Sequence, residues 1–419
     1  SFMKKIGFIS DAKIRTSYGV TGNNRIPDFA YLTAMGLPYN ASYPFNNSLV
    51  KGSYPRNIGN RNLRWESTAQ FDVGMDVGLF KKRISFELDY YNKTTSDLLL
   101  NASVPNSLGF VSAFKNIGKV ENKGIEFTLN TSTIKSNKFS WNTNFNISFN
   151  RTKVLALSEN QETMLSNVNW DSGYRNLPLY VAKIGRPIAM FYGYIWEGNY
   201  QYSDFDQVGS SYRLRRDVST NGTDREDIRP GDIKYKDING DGIINTNDQT
   251  IIGDPNPDFI GGFSNNFNYK NFDLNVFMQF SYGNEVFNAN RLLFEGAGRV
   301  QTNMFEEYTN RWTPENQNNT YFRTNGYGPV AYSTRVIEDG SFLRLKTVSL
   351  GYTINPKSLK KIGISSCRVY ASAQNLVTWT KYKGFDPEVS AKNSALTPAF
   401  DYSVYPRAKT IITGLNLTL

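Results

Sequence analysis

The chain has 419 residues, a net charge of +10 and a single cysteine, Cys367, and it contains no histidine. Without histidine, neither a serine or cysteine relay of the protease type nor an imidazole metal site can be built, and one cysteine allows no internal disulfide. Aromatic residues make up 14% of the chain, which is too many for a disordered protein, and no run approaches the ~18 apolar residues of a membrane-spanning helix.

Hydrophobic and polar residues alternate along most of the chain, which predicts β-strands, because successive side chains of a strand point to opposite faces. The clearest case runs from Phe272 to Tyr282, where every second residue is apolar and Phe277 is the only large apolar residue on the other face. Segment 340–353 changes face midway, which predicts a β-bulge. In chain order, strands are predicted at 12–20, 68–79, 83–93, 121–133, 139–151, 259–269, 271–282, 340–353, 366–377 and 407–419.

The lengths and connections of these strands favour a membrane barrel. Most of them are longer than the ~5–6 residues typical of globular proteins and reach the ~9–11 residues that a tilted membrane strand needs. The connections alternate between long and short, as in bacterial outer-membrane barrels, which have long outer loops and short periplasmic turns. The predicted fold is therefore all-β, a transmembrane antiparallel β-barrel with about ten spanning strands and long extracellular loops.

The longest connection, 152–258, is predicted to be a large extracellular loop. We place the strand-like segment 188–196 inside it, because another spanning strand there would break the alternation of long and short connections. The polar faces of the strands carry carboxylates, which need water and favour a wide barrel with a wet interior; a soluble β-protein with a dry core is the alternative. These carboxylates are Asp72, Asp76, Glu87, Asp89, Glu126 and Asp273.

The four short connections are basic and contain no acidic residue. In a closed barrel these turns form one rim, and we expect their cations to meet outer-membrane lipids, at the phospholipid head groups of the periplasmic leaflet. Solvated turn lysines are the alternative. Nucleic acid is not expected as a partner, because the charges are not interleaved with stacking aromatic residues on one face. The cations are Lys81, Lys82, Arg83, Lys135, Lys138, Lys270, Lys357, Lys360 and Lys361.

Residues 237–248 read DINGDGIINTND, which has the spacing of an EF-hand calcium loop, including the glycine at its sixth position. The last position is an aspartate instead of the usual glutamate, and no helix is predicted on either side. We expect a structural Ca²⁺ site that folds part of the long loop, with a turn that binds no ion as the alternative. The candidate ligands are Asp237, Asn239, Asp241, Ile243 (through its carbonyl), Asn245 and Asp248.

Eight segments resemble the barrel half of SusC/RagA-type TonB-dependent transporters. Two of them are LRWESTAQFDVGMDVGLFKKRISFELDYYNKTTSDLL (63–99) and EDGSFLRLKTVSLGYTI (338–354). So many matching segments in the same order leave little room for coincidence. The others are 13–24, 116–131, 231–286, 311–316, 368–388 and 405–419.

The resemblance implies an outer-membrane transporter of Bacteroidetes with a wide barrel of about 22 strands. It also implies a SusD-like surface lipoprotein that captures glycan or peptide at the outer mouth, and uptake driven by the TonB complex through an N-terminal plug. Neither a plug domain nor a TonB box is recognised in the sequence. We therefore expect residues 1–419 to be the C-terminal portion of the barrel, which would not transport alone.

Two other classes of function are compatible with a β-rich chain. An enzyme would not need histidine, because two carboxylates suffice for glycoside hydrolysis. No carboxylate pair stands out, however, and we expect no enzymatic activity; the pairs considered are Asp386/Glu388 and Glu306/Glu307. The remaining alternative is a soluble or surface-attached β-rich module that binds glycans without transporting them.

Overall fold

The main element of the fold is one ten-stranded antiparallel sheet in which each strand pairs with the next along the chain. Its strands are β1 (Ile9–Asn23), β2 (Glu66–Leu79), β3 (Ile84–Ser96), β4 (Lys119–Lys135), β5 (Phe139–Ala156), β6 (Phe259–Tyr269), β7 (Phe272–Tyr282), β8 (Phe342–Thr353), β9 (Ser366–Thr380) and β10 (Thr410–Thr418). The computed structural model describes residues 7–24, 28–37, 42–103, 106–110, 112–116, 118–157, 161–296, 302–355, 363–392 and 394–418.

All ten predicted strands are present, and several extend a few residues beyond the predicted ends. The predicted bulge is also confirmed. The register of β8 shifts where it pairs with β7, because Phe277 and Met278 are opposite Thr347 and Leu345, so that Lys346 is the extra residue. The sheet is open, with β1 and β10 at its edges, and its long strands in a single layer fit part of a barrel wall.

One face of the sheet, which we call the apolar face, is hydrophobic and exposed. Leu88 of β3 lies on it opposite Met75 of β2 and Phe127 of β4, and 39% of Leu88 is exposed. A soluble protein rarely exposes such a surface, whereas the lipid-facing wall of a barrel requires it. Other exposed members of this face are Phe71, Val73, Ile125, Phe149, Phe272, Leu343, Leu350, Tyr352, Val369, Ile411, Leu415 and Leu417.

The opposite face, which we call the polar face, carries the carboxylates named above and a network of asparagines. The Asn144 side chain donates to Asn130 at 2.7 Å, and the Asn275 side chain donates to Asn266 at the same distance. Polar side chains that bond one another in the open are typical of a wet surface. The predicted polar face is therefore present, and the alternative of a dry core lined by the apolar side chains is wrong, because those side chains are exposed.

Three of the long connections, 157–258, 283–341 and 381–409, fold into a second body, the outer body, which has its own hydrophobic core. Segment 188–196 lies in it as predicted, because its strand Met190–Gly193 belongs to a separate four-stranded sheet. Since β5 continues to Ala156, the longest loop begins at 157 and not at 152. Residues from three connections form the core, and its largest buried rings are Tyr180, Phe191, Phe287, Tyr332 and Phe400.

The remaining elements are short. The strands are Met35–Gly36, Ser42–Phe45, Ser48–Lys51, Tyr54–Pro55, Leu99–Ser103, Ser112–Asn116, Thr163–Asn167, Pro178–Lys183, Met190–Gly193, Trp196–Asn199, Phe205–Val208, Ser211–Leu214, Ile233–Tyr235, Thr250–Gly253, Glu285–Asn288, Ile337–Asp339 and Phe400–Asp401. The helix α1 is Ala289–Phe294, and 3₁₀ turns lie at Asn106–Leu108, Tyr202–Asp204, Thr246–Asp248, Glu306–Asn310 and Thr334–Val336. Among the described residues, no helix is long and apolar enough to cross a membrane.

The short turns lie together at the other end of the sheet, the inner end. Their basic side chains at Lys81, Lys135 and Lys270 are exposed. Three of the cations have protein partners. Lys82 lies 3.3 Å from Asp11, Arg83 donates to backbone carbonyls near the end of β4, and the Lys270 ammonium lies 5.4 Å from the centre of the Tyr269 ring. The predicted cations of the fourth turn lie outside the described residues; they are Lys357, Lys360 and Lys361.

Candidate functional site

The polar face holds charged side chains in fixed pairs. Arg15 of β1 reaches across the sheet, and its Nη2 atom lies 2.7 Å from Asp76 and 2.9 Å from Asp89. Gly74 makes room for this cluster, because a Cβ there would come within 2.9 Å of the guanidinium group. The same arrangement recurs at Arg368, Asp273 and Gly351. These charged side chains of the polar face are therefore paired with one another within the sheet.

An ion network centred on the buried pair Arg344 and Asp386 joins β8 to the last outer connection, 381–409. Only 2% of the Arg344 side chain is exposed, and its guanidinium group pairs with Asp386 and with Glu388, the latter at 3.2 Å. Arg407 closes the network, with 2.9 Å to each of the two carboxylates. We call these four residues the mouth network. The Asp386/Glu388 pair did not stand out in the sequence, because its basic partners are distant along the chain.

A second buried network fixes α1 in the outer body. Arg291 lies 2.7 Å from Glu295 and 3.1 Å from Glu338, and Arg335 lies 2.7 Å from Glu295. Burial lowers the pKa of Arg335 from its ordinary value, while the neighbouring Glu295 opposes that effect. Removing charges from water is costly unless they are paired. These contacts therefore hold the outer body in one arrangement.

The calcium-type loop 237–248 folds around the first of its candidate ligands. The Asp237 carboxylate accepts hydrogen bonds from the backbone amides of Gly240 and Gly242, both at 2.7 Å, and from Ser219 at 2.9 Å. Desolvation acts to raise the pKa of Asp237, but these bonds, led by the one from Gly242, lower it below its ordinary value. The carboxylate is therefore ionised at neutral pH, as a calcium ligand must be.

The other candidate ligands lie in the same hydrogen-bonded loop. The Asn239 side chain donates to Asp241 at 2.8 Å, and the Asn245 side chain donates to the carbonyl of Ile243 at 3.3 Å. The last ligand position, Asp248, is buried, and its oxygens accept from the backbone amides of Ile238 and Asn245, both at 2.9 Å.

The oxygen atoms that this loop could offer to a metal ion are those of a calcium-type site. Within the described residues, no three His, Cys, Asp or Glu side chains converge as a metal cluster. A site in the loop would therefore have to combine carboxylates with amide and carbonyl oxygens, which is the mixture that Ca²⁺ accepts. The structure brings the six predicted residues into one loop, and calcium binding itself stays a prediction.

The calcium-type loop also connects two parts of the outer body. Ile244, in the middle of the loop, packs in a buried cluster with Ile233, Tyr235 and Phe322. Phe322 belongs to the connection between β7 and β8, whereas the loop belongs to the connection between β5 and β6. A conformational change in the loop would therefore also move residues of the connection between β7 and β8.

Comparisons with known proteins agree with this architecture. Residues 5–227 match the family model described as TonB dependent receptor-like, beta-barrel. The chain is 35% identical over its whole length to TonB-dependent receptor P3 of Formosa agariphila and 29% identical to TonB-dependent receptor SusC of Bacteroides thetaiotaomicron. It spans 40% and 38% of those relatives, or about two fifths of their length.

A solved structure gives the same result for the fold. The RagAB peptide importer in its closed-closed state superposes with a TM-score of 0.78 at 26% identity, over 99% of this chain and 42% of that chain. The resemblance to SusC/RagA-type transporters is thereby confirmed, and the enzyme alternative falls, because these receptors are transporters. The chain belongs to the family of TonB-dependent receptor-like β-barrels.

Proposed function

We propose that this chain is the C-terminal part of an outer-membrane transporter that imports glycans or peptides in a TonB-dependent manner. One observation carries the proposal: an exposed apolar face and a hydrogen-bonded polar face lie on opposite sides of the same long-stranded sheet. A barrel in lipid needs this arrangement, since its outside must be apolar and its interior polar. The match to TonB-dependent receptors supports the energy source.

The partners follow from the same proposal. A SusD-like surface lipoprotein would sit on the three longest outer connections, which are 24–65, 157–258 and 283–341. The TonB complex would act through the plug domain of the whole transporter. The similarity to a peptide importer and to SusC supports a two-component importer of this kind.

The experiment measures uptake in the bacterium that carries the gene. Labelled oligosaccharides and peptides are supplied to wild-type cells, to cells lacking the gene for the whole transporter and to cells lacking TonB. We expect both deletions to abolish uptake of the same substrate and membrane fractions to release the protein only with detergent. Uptake that survives both deletions, or release by salt alone, would reject import and favour a surface-attached binding module.

We also propose that the loop 237–248 binds one structural Ca²⁺ ion. The support is the EF-hand spacing together with the lowered pKa of Asp237 and the chain of hydrogen bonds through Asn239 and Asp241. The ion would stabilise the part of the outer body to which Ile244 is anchored. Its role would be structural, because the loop packs through Ile244 against residues of a second connection.

The basic rim at the inner end is proposed to contact anionic head groups. The support is the exposure of Lys81, Lys135 and Lys270 on turns that directly follow membrane-length strands. A lysine near an anionic leaflet contributes about 1 kcal/mol. Lys82 and Arg83, which already have protein partners, would contribute less.

A further inference from the structure

One phenyl ring stands on the polar face. Phe277 lies between Asn275 and Gln279 along the polar side of β7, where a polar residue is expected. Its ring lies over Gly262 of the neighbouring strand β6, since a Cβ at that glycine would be 3.0 Å from the ring. Gly262 is opposite Gln279 in the register, so the ring reaches diagonally across the strand pair.

A groove of about 730 Å³ surrounds this ring. One wall is the polar face of the sheet, with Asn146 and Gln279, and the other is the last outer connection, with Pro387 and Val389. The volume lies in the range of small-molecule sites, which combine apolar surface with a few polar groups that fix orientation. The groove therefore has the size and composition of a binding site.

The polar groups of the groove are neutral or have their charge compensated. Gln279 donates to Glu388 at 3.4 Å, and the mouth network neutralises that carboxylate through Arg344 and Arg407. The amide of Asn146 lies 3.5 Å from the Cβ position at Gly262, beside the ring. Amide donors and acceptors next to an aromatic face are the groups that hold a sugar ring, because its C–H face stacks while its hydroxyls bond.

We propose that this groove is a subsite for one ring of a neutral oligosaccharide, which stacks on Phe277 and is oriented by Asn146 and Gln279. The proposal rests on the import function proposed above and names the substrate class. A peptide fits less well, since β6 and β7 are both paired on two sides and offer no free edge to an extended chain. No uncompensated charge among the named groups would hold a peptide terminus either.

The contact between Phe277 and Gly262 also has a structural side, because an aromatic ring that covers a glycine of the neighbouring strand stabilises the pairing. Stability and binding are therefore measured separately. Phe277→Leu keeps apolar volume over the glycine but removes the ring, whereas Phe277→Tyr keeps the ring. Gly262→Ala keeps the phenylalanine, but the added methyl group displaces its ring from the surface of β6.

The experiment uses the whole transporter, purified in detergent. An array of neutral oligosaccharides and a set of tripeptides identify a ligand, and titration calorimetry gives its Kd. We expect Phe277→Ala and Phe277→Leu to weaken oligosaccharide binding about tenfold, Gly262→Ala to weaken it less and Phe277→Tyr to change it by less than about threefold. Phe127→Leu, on the apolar face, is the matched control and should bind as wild type.

Three outcomes would overturn the proposal. The first is unchanged oligosaccharide binding by Phe277→Leu, and the second is weakened binding that tracks a lower melting temperature equally in Phe277→Leu and Phe277→Tyr. The third is binding of tripeptides but of no oligosaccharide, which would leave TonB-dependent import intact. Conversely, uptake that does not depend on TonB would reject the import function even where the sugar subsite is found.

Discussion

Arg344 is the most deeply buried cation of the mouth network, with 2% of its side chain exposed. We expect Arg344→Met to destabilise the outer body by about 3–5 kcal/mol, because it leaves the buried Asp386 without its main partner. Limited proteolysis within 381–409 and thermal melting of the whole transporter measure the effect. The matched control is Arg151→Met, which breaks an exposed pair with Asp258 and should cost at most ~1 kcal/mol. Equal effects of the two substitutions would contradict this account.

Asp241 is an exposed candidate ligand of the calcium-type loop. We expect wild-type protein to bind one Ca²⁺ ion in calorimetry and Asp241→Ala to lose most of that binding, because a carboxylate is removed from the first shell of a hard cation. Added EDTA should make the loop more sensitive to protease in wild type only. Asp227→Ala, an exposed acid elsewhere in the same connection, is the control and should bind normally. No heat of binding at millimolar Ca²⁺ would dismiss the site.

At the scale of single residues, local patterns were predictable and distant pairings were not. The six candidate calcium ligands lie within twelve positions, so their spacing alone brought them together. The mouth network was missed because Arg344 is 42 residues from Asp386 and 44 from Glu388 in sequence. Those charges meet only when β8 and the last outer connection fold against each other. The ring of Phe277 was visible as an exception on the polar face, but its contact with Gly262 was not.

Among the elements, strand pairs on the polar face depend on glycines that make room for long side chains. Gly124 of β4 provides a test, because an added Cβ would lie 2.4 Å from the backbone carbonyl of Phe149 in β5. We expect Gly124→Ala to destabilise the barrel by about 1–3 kcal/mol through overpacking. Gly19→Ala is the control, since nothing lies within 4 Å of that position. Heat-modifiable gel migration of the whole transporter reports the folded fraction, and equal migration of both variants would refute the argument.

The turns at the inner end make a separate prediction. Replacing the described turn lysines with glutamine should lower the melting temperature of the transporter in anionic vesicles but not in zwitterionic ones, since each charge near the surface contributes about 1 kcal/mol. The lysines are Lys81, Lys82, Lys135, Lys138 and Lys270. A variant with five exposed outer lysines replaced is the control: Lys51, Lys183, Lys236, Lys381 and Lys383. A similar change in both variants would indicate ordinary solvated lysines.

The spanning strands could be predicted almost completely, whereas the outer body could not. Each spanning strand faces lipid on one side and water on the other, so its sequence alternates with a period of two. The short strands of the outer body are different. Pro178–Lys183 is buried at four consecutive positions, from Leu179 to Ala182, and such a strand shows no alternation that could be read. Its partners also come from distant connections.

For the whole molecule, the decisive question is which face of the sheet meets lipid. We expect Leu88→Arg to cost about 2–4 kcal/mol of stability in bilayers, because it places a cation near the middle of the apolar face. Thr128→Arg is the control, since Thr128 lies opposite Glu87 on the polar face and its replacement should change stability by at most ~1 kcal/mol. Urea titration of the whole transporter in vesicles measures both. The opposite ranking would reverse the assignment of the two faces.

The outer body has a core of its own, with Tyr180, Phe191 and Phe287 fully buried. A surface built on such a core is preorganised. A second protein that binds it would therefore not have to order a flexible segment, and the entropy cost of binding would be lower. Affinity could then be high without large contact area. Substitutions on the outside of this body would change the surface offered to the proposed lipoprotein, whereas the strand registers of the sheet would stay the same. The binding surface could therefore change in sequence with little loss of stability in the β-sheet.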